Sequence, residues 1–369
     1  MKPLDISSID KNMRVISKVT EEDVVFYDVR ETPFDVYGLY DYKTGHEFMR
    51  MPVAVATATS LGVHDLNYCT AGGRVRFSTD SRYVAIHANM RYMCHMDHMA
   101  MTGSTGFDLY VDDPDSNISR YQGTFRPGGN TEVDAYESVL YFPTKTLRHF
   151  TINFPLYSGV NDLFVGVQKD ATLGGGAHYR DVPPIVFYGS SITQGGCASR
   201  PGNAYQAILS RRLNINHINL GFSGSACGED SICDYMASLP MSVFVSDYDY
   251  NAPSVEHLKN THEKLYRKIR EKNPTVPYIM LSRPSADVSS SYETVCRRRE
   301  IVFETFMKAR AEGDKNVFYI DGESIFRGRD ADAATVDGAH PNDYGFILMA
   351  NAIEAEILRA LTMPYSKAN

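Results

Sequence analysis

The sequence predicts two domains of different class: an all-β sandwich or jelly roll over residues 1–180, then an α/β domain with a doubly wound parallel sheet over residues 181–369. At 369 residues the chain exceeds one ordinary domain of roughly 100 to 200 residues. Its first half is a series of short apolar segments bounded by Gly, Pro, Asn and Asp, without a long amphipathic helix. Its second half alternates apolar strands with helical segments. Between them lie Gly174-Gly175-Gly176 and Pro183-Pro184, the punctuation expected where a pattern changes.

In the first half, strands are expected at 23–29, 51–56, 73–78, 83–88, 106–111, 138–141, 149–154 and 162–167, with turns at Gly72-Gly73, Asp80-Ser81 and Gly128-Gly129-Asn130. In the second half the pattern gives strands at 185–188, 217–220, 242–246, 278–282 and 316–320, and helices at 203–212, 255–272, 292–310 and 343–361. The loops after parallel strands gather on one edge of the sheet, where ligands bind.

A formal charge of -8 without a basic run argues against nucleic acid and anionic membranes as partners. The first fifteen residues carry no apolar signal core and no apolar run is long enough to span a bilayer, so a cytoplasmic protein is expected. Six cysteines without a C-x-x-C pair are read as free thiols. Tryptophan is absent, so any aromatic sugar platform must be Tyr or Phe.

The chemistry falls on the loops. Ile185-Val186-Phe187-Tyr188 runs into Gly189-Ser190-Ser191-Ile192-Thr193, a strand, a sharp turn and a helix start. A serine there is exposed, with its own N–H available to a developing oxyanion. A hydroxyl needs a base to take its proton, and His340 is the candidate, with Asp337 three residues earlier to fix its tautomer. Gly224 can bring a bare backbone N–H close, and Asn251 can offer a side-chain N–H₂. Singly, each residue also reads as turn chemistry: Asp337 and Pro341 shaping a loop, Gly224 a turn glycine, Asn251 an Asx turn before Pro253. Together, and in order, they supply what one mechanism requires.

That ordered set resembles the SGNH, or GDSL, family of serine esterases and acyltransferases. Gly189-Ser190-Ser191-Ile192-Thr193 resembles its first block, Asn219-Leu220-Gly221-Phe222-Ser223-Gly224 its second, Asn251 its third and Asp337-Gly338-Ala339-His340-Pro341 its last. Two departures are visible: Ser190 stands where the family usually has Asp, and Asp249-Tyr250-Asn251-Ala252 replaces Gly-x-Asn-Asp. Gly106-Phe107-Asp108-Leu109-Tyr110 resembles the GxDLY motif of a β-sandwich that precedes the catalytic domain in one SGNH subgroup.

The resemblance implies a flavodoxin-like three-layer hydrolase domain with Ser191, His340 and Asp337 as triad, and the N–H of Ser191, Gly224 and Asn251 as oxyanion hole. It implies short acyl groups, acetyl above all, on carbohydrate hydroxyls, with an acylated small molecule or oligosaccharide as partner. No cofactor or metal is expected, and a homo-oligomer is left open. An acyltransferase using an alcohol acceptor, or a carbohydrate-binding protein on a silent scaffold, are the alternatives. Dinucleotide binding fails because Gly221, Gly224 and Gly228 do not spell G-x-G-x-x-G, and the short Asp337–His340 spacing is unlike an α/β-hydrolase. His87, Cys94, His95, Asp97 and His98 form a ligand-rich patch without paired metal-site spacing. It reads as ordinary strand histidines or as the border of the active-site mouth.

Overall fold

The computed structural model describes residues 18–45, 47–128, 134–284, 292–328 and 330–362, so part of the expected Gly128-Gly129-Asn130 turn lies outside them. Antiparallel strands β1 (Val24–Asp28), β2 (Asp35–Tyr37), β3 (Arg74–Thr79), β4 (Tyr83–Tyr92), β5 (Phe107–Asp113), β6 (Ile118–Phe125), β7 (Ala135–Tyr141), β8 (Arg148–Asn153), β9 (Gly159–Gln168) and β10 (Leu173–Gly175) form two sheets. Their orders are β1-β9-β4-β7 and β10-β3-β8-β5-β6, with β2 paired to β3. Alternate residues point inward from each sheet: Val84, Ile86 and Ala88 of β4 meet Phe77 of β3, Leu109 of β5 and Phe150 and Ile152 of β8 in one apolar core. This is the sandwich that the series of short apolar segments predicts.

Three short helices interrupt it: α1 (Val53–Thr59), α2 (Leu61–Leu66) and α3 (Met101–Ser104). The strand expected at 51–56 is therefore largely helix. Its Val-Ala-Val-Ala alternation reads as a half-buried strand, but Met51, Ala56 and Val63 are buried against the second half of the chain, and that packing overrides local preference. β6 escapes the sequence reading for the opposite reason: it is largely exposed and polar, so it carries no period.

Residues 185 to 320 hold five parallel strands, β11 (Ile185–Gly189), β12 (His217–Gly221), β13 (Val243–Asp247), β14 (Tyr278–Leu281) and β15 (Val317–Ile320), in the order β12-β11-β13-β14-β15. The connecting helices are α4 (Ser191–Gln194), α5 (Tyr205–Leu213), α6 (Asp230–Ser238), α7 (Val255–Lys272), α8 (Tyr292–Ala311) and α9 (Asp343–Thr362). α6 is the one the sequence reading does not anticipate. Ile185, Phe187, Val245 and Ile279 pack under α5 and α9 on one face; Val186, Tyr188, Phe244 and Met280 pack under α6, α7 and α8 on the other. The order places a topological switch between β11 and β13, the crevice where ligands bind in such sheets.

β12 is an edge strand, and its outward carbonyls are capped by arginines from the first half of the chain. Buried Arg50 donates to Asn219 O at 3.4 Å and Gly221 O at 2.5 Å, and buried Arg74 to His217 O at 3.2 Å. An open edge is thereby covered without a further strand.

Candidate active site

Register levels the carboxyl ends of three strands, pairing Gly189 with both Gly221 and Asp247. A Cβ on Gly189 would stand 1.6 Å from Asp247 Oδ1, so only glycine lets the nucleophile turn sit against β13. Ser190 then caps α4 by accepting from the Ile192 N–H at 3.2 Å. Ser191 is the first residue of α4, where a backbone N–H has no partner within the helix; the turn predicts an exposed serine, but Ser191 is only 8% exposed, with His340 against its hydroxyl and Tyr157 against its carbonyl.

Ser191 Oγ lies 2.9 Å from His340 Nε2, and His340 Nδ1 lies 2.7 Å from Asp337 Oδ2. Three predicted residues thus form one hydrogen-bonded chain. Asp337 Oδ1 also accepts the backbone N–H of His340 at 2.7 Å and of Ala339 at 2.9 Å. Partial burial pushes this carboxyl up, but the bonds from His340 and Ala339 outweigh it and hold it at about 2. Asp337 is therefore ionised wherever His340 can act as a base. The loop itself is tied down by Cys197 N–H to Pro341 O at 2.9 Å and Ser199 N–H to Asp343 Oδ1 at 2.8 Å.

Gly224 is exposed, at φ +66, and a Cβ there would meet nothing within 4 Å, so the space beside its backbone is open. Its loop is anchored to the nucleophile helix because Ser223 N–H donates to Gln194 Oε1 at 2.9 Å. Asn251 Nδ2 donates to Phe222 O at 2.8 Å. The asparagine therefore braces the Gly224 loop rather than closing an Asx turn, and its hydrogen bond runs to Phe222, not to Ser191.

The histidine patch is divided. His87 sits on the outer sandwich sheet, bonded to Glu137 at 2.9 Å and Asn89 at 3.1 Å. His98 stands edge-on to His340, ring centroids 5.5 Å apart. His98, Asp337 and His340 bring ligand atoms within 4.8 Å of one another, but both His340 nitrogens already serve the serine and the aspartate. A cation would have to displace one of those bonds.

Sequence reasoning missed Asp247. It is 4% exposed and accepts from Ser190 N–H at 3.2 Å, Tyr205 OH at 3.3 Å and the Thr193 hydroxyl, and burial pushes its carboxyl up to about 7. It lies beneath the nucleophile turn, where its carboxylate holds the Ser190 N–H and the Thr193 hydroxyl. Only its position at the end of β13 could have signalled it.

Residues 183–358 match the GDSL-like Lipase/Acylhydrolase family, and residues 24–173 match GxDLY, the N-terminus of SGNH-hydrolase-type esterases. The chain belongs to the SGNH/GDSL esterase family. No curated protein matches this SGNH esterase, but solved structures do. A protein named as a GDSL-like lipase from Bacteroides ovatus is 28% identical, with TM-score 0.82, over 93% of this chain and 99% of that one. The salicylyl-acyltransferase SsfX3 of a tetracycline biosynthetic pathway is 18% identical, with TM-score 0.75, over 94% and 100%. An acetyl xylan esterase from the rumen bacterium Butyrivibrio proteoclasticus shares 10% identity and a TM-score of 0.54 over 91% and 99%. The last two likenesses are of fold.

The GxDLY stretch of this SGNH esterase now has a physical account. Along β5 alternate residues face opposite ways: Leu109 enters the sandwich core, while fully buried Asp108 accepts from Gly202 N–H at 2.8 Å, Asn153 Nδ2 at 2.8 Å and Arg200 Nη1 at 3.2 Å. The motif clamps the sandwich to the loop leaving the nucleophile helix.

Proposed function

We propose that the protein is a serine esterase that removes short acyl groups, acetyl foremost, from carbohydrate hydroxyls. The continuous hydrogen-bonded chain from Ser191 through His340 to Asp337 carries this reading. His340 Nε2 takes the Ser191 proton as Oγ attacks the ester carbonyl; Asp337 holds Nδ1–H and stabilises the imidazolium. The N–H groups of Ser191 and Gly224, with Asn251 holding the Gly224 loop and offering its second amide proton, receive the oxyanion. The imidazolium returns its proton to the leaving alkoxide, and the alcohol departs. Water, deprotonated by His340, then releases the acid from acyl-Ser191. Residues 1–180 act as the accessory sandwich and 181–369 as the catalytic domain. Six free cysteines support a cytoplasmic setting, and no described helix is long and apolar enough to cross a membrane.

Hydrolysis of aryl acetate, butyrate and octanoate by wild type and Ser191→Ala tests this. Acetate should be fastest, and the variant should be inactive; an active variant refutes the mechanism. The likeness in fold to SsfX3 favours one alternative, an alcohol in place of water in the second step. Faster turnover of aryl acetate with an added sugar, accompanied by sugar acetate, would identify that transferase.

A further inference from the structure

We infer that a cleft of about 400 Å³ beside Ser191, walled by Leu66, Tyr68, Cys69, Arg91, Tyr92 and Tyr157, holds a pyranose ring of the leaving alcohol. The inference rests on the esterase reading above and adds the residues that select its substrate. Its volume is in the range of roughly 300–1,000 Å³ typical of organic ligand sites, and far exceeds what an acetyl group needs.

Three walls of the cleft border three sides of the Ser191 site. At the back, Tyr157 OH donates to the Ser191 carbonyl oxygen at 3.2 Å. On one flank, α2, which supplies Leu66, starts against the Gly224 loop: a Cβ on Gly62 would stand 2.2 Å from Ser225 Oγ. On the other flank, the chain leaving Tyr92 passes Cys94, also in the lining, and reaches His98, whose ring meets that of His340. The cleft thus adjoins the Ser191 turn through Tyr157, α2 and the chain from Tyr92 to His98, and the leaving alcohol is assigned to that side of the ester.

The lining decides which group. Among the described residues Leu66 is the only aliphatic side chain in it, so an extended acyl chain would find little apolar surface. Tyr92 is 37% exposed as a residue, and its hydroxyl is held at 3.1 Å by Cys69 Sγ. Behind the tyrosine ring lies Gly159, where a Cβ would stand 2.9 Å from Cε1, so Tyr92 rests on bare backbone with one side to solvent. Around it stand fixed polar groups. The Arg91 guanidinium lies 3.9 Å over the Tyr68 ring and is ion-paired with Glu47, and at the rim His64 Nδ1 meets Asp65 Oδ1 at 3.0 Å. An amphipathic aromatic face bordered by a guanidinium and a carboxylate matches a ring with a C–H face and peripheral hydroxyls. In a chain without tryptophan, Tyr92 is the platform.

The test has a catalytic and a binding arm. The catalytic arm reads the ratio of kcat/KM for acetylated xylotriose to kcat/KM for aryl acetate. Tyr92→Ala, and separately the cleft-filling Leu66→Trp, should each lower this ratio at least about tenfold, the scale of discrimination that a shaped pocket provides. The binding arm measures xylotriose by calorimetry on the Ser191→Ala protein; binding should be present there and lost when Tyr92→Ala is added. An unchanged ratio together with unchanged binding overturns the assignment. So does a Leu66→Trp protein whose altered preference runs along acetate, butyrate and octanoate, which would make the cleft an acyl pocket. If ester hydrolysis survived Ser191→Ala, the serine mechanism would fall while the binding arm still decided the cleft.

Discussion

The nucleophile turn and the histidine loop meet across a 2.9 Å hydrogen bond but are built in opposite ways. Ser191 is buried and placed by distant chain: Tyr157 OH on its carbonyl, Asp247 beneath its turn, and Gln194 bridging its helix to Ser223. The His340 and Asp337 side chains are 25% and 35% exposed, and their bonds to each other span only three residues. The difference is functional. A nucleophile must be held within a fraction of an ångström of its target, which tertiary packing provides, while a base needs a fixed tautomer, which one local carboxylate provides.

The largest expected effect breaks the local half alone. Asp337→Asn should lower kcat on aryl acetate by about 10³ to 10⁴ with only a small fall in melting temperature, because the charge that stabilises the loop is lost but the amide keeps an oxygen for the Ala339 and His340 N–H groups. A large fall in melting temperature would show that the loop is a structural element after all. Arg50→Met attacks the long-range half. It strands the carbonyls of Asn219, Gly221 and Leu66 and should cost about 3 kcal/mol in urea denaturation, with a smaller fall in kcat as the loop leading to Gly224 loosens. Unchanged stability would mean that water replaces the guanidinium at the β12 edge.

The same contrast explains what the sequence could tell. Asp337-x-x-His340 is legible because its geometry is set by neighbours in the chain, and Gly189-Ser190-Ser191 because an apolar run ends there in a glycine-serine turn, although distant residues fix where the serine sits. Asp247, Arg50 and Asp108 are illegible as anchors, since each acts on residues more than fifty positions away and nothing local marks a buried charge. The helix at Val53–Thr59 fails for a related reason: its partner surface belongs to the second half of the chain. Asn251 is legible as a residue of the site, but its bond to Phe222 O depends on tertiary approach.

Asp247 also gives the two halves opposite acid responses. Its carboxyl stands at about 7 in the native chain against an ordinary 3.8, so between about 4 and 7 the folded protein keeps a proton that the unfolded chain has released. Stability should therefore fall as pH rises through that window, by up to about 4 kcal/mol, and level off above it. Asp337 has the reverse sign: held at about 2, it contributes stability above 3.8 that is lost as pH falls towards 2. Urea denaturation between pH 4 and 8 should show the downward slope, and Asp247→Asn should flatten most of it. Asp249, pushed up to about 6 by burial, keeps a residual slope of the same sign. A wild-type profile flat across that range would mean that Asp247 is ionised throughout.

The smallest expected effect concerns Ser190, where the family usually carries aspartate. Ser190→Ala removes the cap on the Ile192 N–H and should cost about 1 kcal/mol. Ser190→Asp restores a capping oxygen, yet it adds a carboxylate to a turn whose own N–H already donates to Asp247 at 3.2 Å. Two buried carboxylates on one turn cannot both ionise cheaply, so Ser190→Asp should be less stable than Ser190→Ala at pH 8 and recover relative to it at pH 5, where one carboxyl can hold a proton. If Ser190→Asp instead matched wild type at pH 8, the serine would be an incidental choice. If it did not, Ser190 is neutral because Asp247 already supplies the one carboxylate that the nucleophile turn can hold.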